Sequence, residues 1–206
     1  SDNTPTINIG TLVSGAVITL TATPASGTAV ACSFTAGSTT GSCTFSTLPD
    51  GTYSITATQT YNGATSVAST ALAGIVIDAT KPTVTLSATV GAGTNVVSGT
   101  NDTIARNTAI NTYTIKATFS ESVSGLLMSE ITKDAASTGW SIGSTLTGSG
   151  ATYTFSATNS GVVVNIEGKL LLRISEGVAV DVAGNTNSAT TSDFVINSVA
   201  RVDFWD

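Results

Sequence analysis

Apolar and polar residues alternate with a period of two along most of this chain. In Val17-Ile18-Thr19-Leu20-Thr21-Ala22-Thr23, the side chains of Ile18, Leu20 and Ala22 fall on one side and the threonines on the other. Tyr53, Ile55 and Ala57 repeat the pattern, and Ile75 and Ile77 close the first run of such segments. Further on, Val84, Leu86, Ala88 and Val90 alternate with Thr and Ser. The same holds for Tyr113, Ile115, Ala117 and Phe119, for Leu170, Leu172 and Ile174, and for Phe194 and Ile196. Successive side chains of a strand point to opposite faces of its sheet, so this pattern predicts antiparallel strands with one buried and one wet face. Many short strands divided by Gly, Ser, Asn and Asp turns predict a β-sandwich. One short helical turn is expected around Met128 to Lys133, and Gly91 to Asn111 shows no readable period.

A boundary is expected within Asp78-Ala79-Thr80-Lys81, just ahead of Pro82. Proline cannot donate a ladder hydrogen bond and pushes the residue before it toward extended geometry. The expected organisation is one module over residues 1–79, a larger one over 80–198, and a terminal strand or linker over 199–206. The length of 206 residues suits one large or two small domains.

Composition supports an all-β chain. Roughly a third of the positions are Ser or Thr, far above ordinary usage. Thr and Val suit a pleated, half-buried surface, whereas the usual helix formers are scarce. Hydrophobic content of 41% with a net charge of only −6 argues against disorder. The seven basic residues are scattered, so no nucleic-acid partner is expected. No apolar run reaches about 18 residues, so no membrane insertion is expected. Ser1 reads as the start of a mature or excised piece.

Cys32 and Cys43 have ten turn-rich residues between them, including Gly37 and Gly41. They are either buried thiols or a disulfide across a hairpin. The fold-back favours the disulfide, which implies an oxidising compartment. Two cysteines and no histidine leave too few ligands for zinc. The lack of histidine also excludes imidazole triads. The carboxylates are sparse and sit in expected turns, so the chain is expected not to be an enzyme.

Three segments carry a resemblance. Leu48-Pro49-Asp50-Gly51-Thr52-Tyr53 with the alternation that follows it, Ala117-Thr118-Phe119-Ser120-Glu121-Ser122-Val123-Ser124-Gly125-Leu126, and Gly177-Val178-Ala179-Val180-Asp181-Val182-Ala183-Gly184-Asn185 all resemble bacterial immunoglobulin-like (Big) repeats of large surface adhesins. The junction Ile77-Asp78-Ala79-Thr80-Lys81-Pro82 is similar to the usual joint between such repeats. The resemblance implies two tandem immunoglobulin-like antiparallel β-sandwiches at the cell surface. The implied role is extracellular and adhesive or structural, with neighbouring repeats or a host-cell or glycan ligand as partners. Alternatives are a subunit of an extracellular filament or sheath joined by strand exchange, and a carbohydrate- or ice-binding module read from the Thr-rich strands. For those strands the plainer account is that Thr is a good outward residue.

Within that frame, Asp50, Asp78, Glu121 and Asp181 are expected to converge at the junction and offer hard oxygens to calcium, which takes six to eight. Asp50 and Asp181 can equally bond the backbone of their own turns. Tyr53 resembles a tyrosine corner, whose hydroxyl bonds nearby backbone. Lys116 falls on the wet face and is expected to be solvated rather than joined in an isopeptide bond. In the last residues Val202 and Phe204 face one way and Trp205 the other. They are read as the first strand of a following repeat, as a strand donated to a neighbour, or as a tail folded on its own module.

Overall fold

The computed structural model describes residues 2–89, 95–97, 103–105, 112–159 and 168–197. The chain divides into two compact units, Ser1–Thr80 and Lys81–Asp206. Both are all-β. The one helical element among the described residues is a single 3-10 turn, Met128–Glu130, running straight into a strand at Ile131. The helical turn expected through Lys133 is therefore cut short. Ile131 is buried and Lys133 is not, so the period-two requirement of burial takes over from the local turn.

The first unit has strands β1 (Thr6–Gly10), β2 (Val17–Pro24), β3 (Val30–Thr35), β4 (Thr40–Thr44), β5 (Gly51–Tyr61), β6 (Ala64–Thr65) and β7 (Leu72–Ile77). One sheet runs β3-β2-β5-β6, with β7 also on β5; the other is only β1-β4. The register of β2 on β5, Leu20 opposite Ala57 and Ala22 opposite Ile55, keeps the apolar set on one face. Ile18, Leu20, Ala22, Tyr53, Ile55 and Ile77 meet Cys43, Phe45 and Leu48 in the core, with Ile7 and Ile9 of β1 packed against it.

The second unit has β8 (Val84–Thr89), β9 (Asn95–Val97), β10 (Thr103–Ala105), β11 (Thr112–Val123), β12 (Ile131–Lys133), β13 (Trp140–Ile142), β14 (Thr147–Asn159), β15 (Gly168–Ile174) and β16 (Thr190–Asn197). Its sheets run β13-β14-β11-β8-β9 and β10-β16-β15-β12. Leu86, Ala88, Tyr113, Ile115, Ala117, Phe119 and Phe155 from the first sheet share one core with Ile131, Leu170, Leu172 and Ile174 from the second. Tyr113 packs on Trp140 with ring centroids 5.3 Å apart, and Phe119 meets Tyr153 edge-on at 5.9 Å. The ladders are antiparallel except β10 on β16, which is parallel. Strands β9 and β10 lie inside the stretch from Gly91 to Asn111, whose remaining residues are outside the description.

Candidate functional site

At the exit of the first unit, Asp50 stands immediately before β5. Its Oδ1 accepts the Ala79 N–H at 2.8 Å, and its Oδ2 accepts the hydroxyl of Thr80. Both oxygens are thus engaged 29 and 30 residues downstream, not in the turn that carries them. The Thr80 hydroxyl first, and the Ala79 N–H second, hold the Asp50 carboxyl below its ordinary pKa. Asp78 accepts the Thr80 N–H at 3.1 Å, closing a local turn in the same segment. Tyr53 opens the same strand, and its hydroxyl donates to the Pro49 carbonyl at 2.8 Å. This is the tyrosine-corner geometry. The hydroxyl anchors the turn that presents Asp50.

In the second unit, Glu121 is in a strand, not in a connecting turn. It lies within β11, where the register against β14 shifts between Thr118 and Val123. Such a bulge keeps a polar run in the strand while local pairing is interrupted. Asp181 is buried in a turn closed by the bridge Val180–Thr186. Its Oδ1 accepts the Asn185 N–H and its Oδ2 the Asn185 side-chain amide, each at 2.8 Å. Gly184, at φ +89, supplies the left-handed residue that this tight return requires. Burial pushes the Asp181 carboxyl up. The Asn185 amide and the backbone N–H groups of Asn185, Gly184 and Ala183 outweigh it, and the net shift is downward. Asp181 therefore bonds its own turn, as the plainer sequence reading had it. A carboxylate oxygen of Glu121 and one of Asp181 lie within 4.8 Å of each other.

Asn187 has no distinguishing signal in the sequence. It is fully buried, accepts the N–H groups of Val178 and Ala179 at 3.0 and 2.8 Å, and donates to the carbonyls of Ser175 and Ser188 at 2.9 and 2.8 Å. Nothing local separates it from the exposed turn residues around it. At the entry to this unit, Lys81 pairs with Glu176 at 2.6 Å, and Ser188 N–H donates to the Pro82 carbonyl at 2.9 Å. The Lys81 ammonium holds the Glu176 carboxyl below its ordinary pKa. Lys116 sits in β11 opposite Thr154 and Ser87, between polar neighbours.

Cys32 and Cys43 form the disulfide. It does not bridge a hairpin, because β3 pairs with β2 and β4 with β1. The chain crosses from one sheet to the other between them, and the bond ties the two sheets of the first unit together. Beside β1, this unit also carries an open groove of about 470 Å³ between Ile7–Leu12, the floor residues Leu20, Ile55 and Ala57, and residues 66–72. Gln59 closes one end, accepting the Val13 N–H at 2.8 Å and donating to the Thr11 carbonyl at 3.2 Å. Neither the placement of the disulfide between sheets nor the groove has a signal in the sequence, since both depend on which strands pair. Val202, Phe204 and Trp205 lie outside the described residues. No family model, curated protein or solved structure matches this chain.

Proposed function

We propose that the chain is a non-enzymatic extracellular protein whose tandem immunoglobulin-like modules, akin to Big repeats, form a stiff segment of a bacterial surface adhesin. The observation that supports it best is the bracing on either side of the unit boundary. Ala79 and Thr80 are tied to Asp50 in the first unit, and Lys81 and Pro82 to Glu176 and Ser188 in the second. Adjacent residues on either side of the boundary are thus each fixed to their own unit. The inter-sheet disulfide suits an oxidising compartment. Among the described residues no helix is long and apolar enough to cross a membrane.

Surface immunolabelling of intact native cells checks the location, and adhesion of a deletion strain to host cells or immobilised glycans checks the role. Labelling only after lysis would refute the reading. Calcium enters it as a stabiliser of the second unit, taken up by Glu121 and Asp181 with turn carbonyls and water. Calorimetric titration with Ca²⁺ should give heat that Glu121→Gln abolishes. The Asp78→Ala variant in the same titration checks whether the first unit supplies a ligand. No heat, and no melting shift against a chelator, removes calcium from the account.

A further inference from the structure

We infer that the groove beside β1 is a strand acceptor, and that its occupant is the C-terminal segment of a second copy of this chain. The first unit's second sheet has just two strands, and among the described residues β4 is the sole partner of β1. The Phe45 N–H donates to the Pro5 carbonyl, which places the hydrogen-bonded pairs of this ladder at odd residues of β1. Thr6, Asn8 and Gly10 therefore turn their N–H and C=O groups away from β4, toward the groove's open side. Such an edge, five residues long, is a template for an added strand.

The floor beneath it is the sandwich interior. Leu20 and Ile55 are buried core residues that line this groove, and Leu72, 50% exposed, lines it as well. Residues 66–71 do not continue the ladder on β5. They are tied to it at Ser66 and Ser69, whose N–H groups donate to the Gln59 and Ala57 carbonyls at 2.9 and 2.8 Å and whose hydroxyls accept the N–H groups of the same two residues at 3.1 and 3.0 Å. On that side the groove lies between β1 and residues 66–72. A strand laid along β1 would close it, provided that alternate side chains are apolar and the others polar.

In the segment after β16, residues 200–204 have that pattern, with Val199 and Trp205 flanking it on the polar parity. In Ser198-Val199-Ala200-Arg201-Val202-Asp203-Phe204-Trp205-Asp206, Ala200, Val202 and Phe204 share one parity, and both interior charges, Arg201 and Asp203, share the other. Three apolar side chains at alternate positions span five residues, the length of β1. Inserted, they would rest on Leu20, Ile55 and Leu72 while Arg201 and Asp203 stay in water. The inference goes beyond the proposed role. An adhesin module binding through other surfaces survives its failure, and surface labelling tests that role separately.

The test is sedimentation velocity on the full chain over a range of concentrations. The expected result is association that disappears when residues 199–206 are deleted. Phe204→Asp in the tail and Leu72→Glu in the groove should each weaken it about tenfold or more, as loss of one buried large apolar contact implies. Leu72 lies outside the buried core, and unchanged circular dichroism confirms that each variant folds. A synthetic peptide of residues 198–206, added to the isotope-labelled deletion chain, should shift the amide signals of Thr6–Leu12 and Ser66–Leu72. A full chain that stays monomeric at its highest soluble concentration overturns the inference. So does association that survives the deletion, or a peptide that leaves those amides unmoved.

Discussion

The two units reach a stable β core by different means. The second buries aromatic and aliphatic side chains between sheets of five and four strands, with Tyr113, Phe119, Trp140, Tyr153 and Phe155 among them. The first sets only β1 and β4 against its larger sheet, and it leaves Val13, Val17, Tyr61, Val67, Leu72 and Val76 exposed. A small unit buries a smaller share of its surface, so the first gains most from a covalent tie. The Cys32–Cys43 bond sits where the thin layer meets the thick one. The second unit has no disulfide among the described residues and instead fixes its polar turn by burying Asp181, Asn185 and Asn187 with full hydrogen bonding. One unit is held by cross-linking its layers, the other by filling the space between them.

That contrast is open to direct measurement. Phe155→Ala should cost the second unit about 4 kcal/mol through lost burial and the cavity left behind. Calorimetry should show its transition fall while the first unit's stays put. Replacing both Cys32 and Cys43 with Ser should do the reverse, at about 3 kcal/mol for a loop of this length. In a unit of about 80 residues that corresponds to roughly 12–24 °C. If either change moves both transitions equally, the units do not unfold independently and the comparison fails.

Smaller effects sharpen the picture. Asn187→Ala leaves the buried N–H groups of Val178 and Ala179 without their acceptor and should cost about 2 kcal/mol, in the second unit only. Hydrogen exchange at those two amides would report the opening directly. The smallest expected effect is acid weakening. Asp50, Asp181 and Glu176 are held below their ordinary carboxyl range. A carboxyl depressed in the folded state stabilises fully above its unfolded pKa, and that contribution fades as pH falls through the folded one. Both transitions should therefore drop below about pH 4. Asp50→Asn should flatten the acid side of the first unit's curve alone. A slope left unchanged in that variant would show that Asp50 is not the group responsible.

Much of the architecture is legible along the chain because strand alternation is a local signal. Ile18, Leu20 and Ala22, or Tyr113, Ile115, Ala117 and Phe119, declare their buried face without knowledge of any partner. The Tyr53 corner is legible for the same reason, since donor and acceptor are four residues apart. The carboxylates are expected in turns, and only the interrupted register against β14 explains how a strand contains Glu121. The expected helical turn misleads in the opposite direction, because burial of Ile131 ends it early.

What the sequence determined by itself is the β character, the two cysteines and the chemistry of each turn, all set by side-chain shape and neighbours a few residues away. Only the tertiary structure decided that Cys32 and Cys43 lie in different sheets, that Asp50 reaches Ala79 and Thr80 rather than its own turn, and that β1 keeps one side open. The reason is physical. A side chain's facing is fixed by its own strand, but the identity of the strand next to it is a long-range choice made by the free energy of the assembled core.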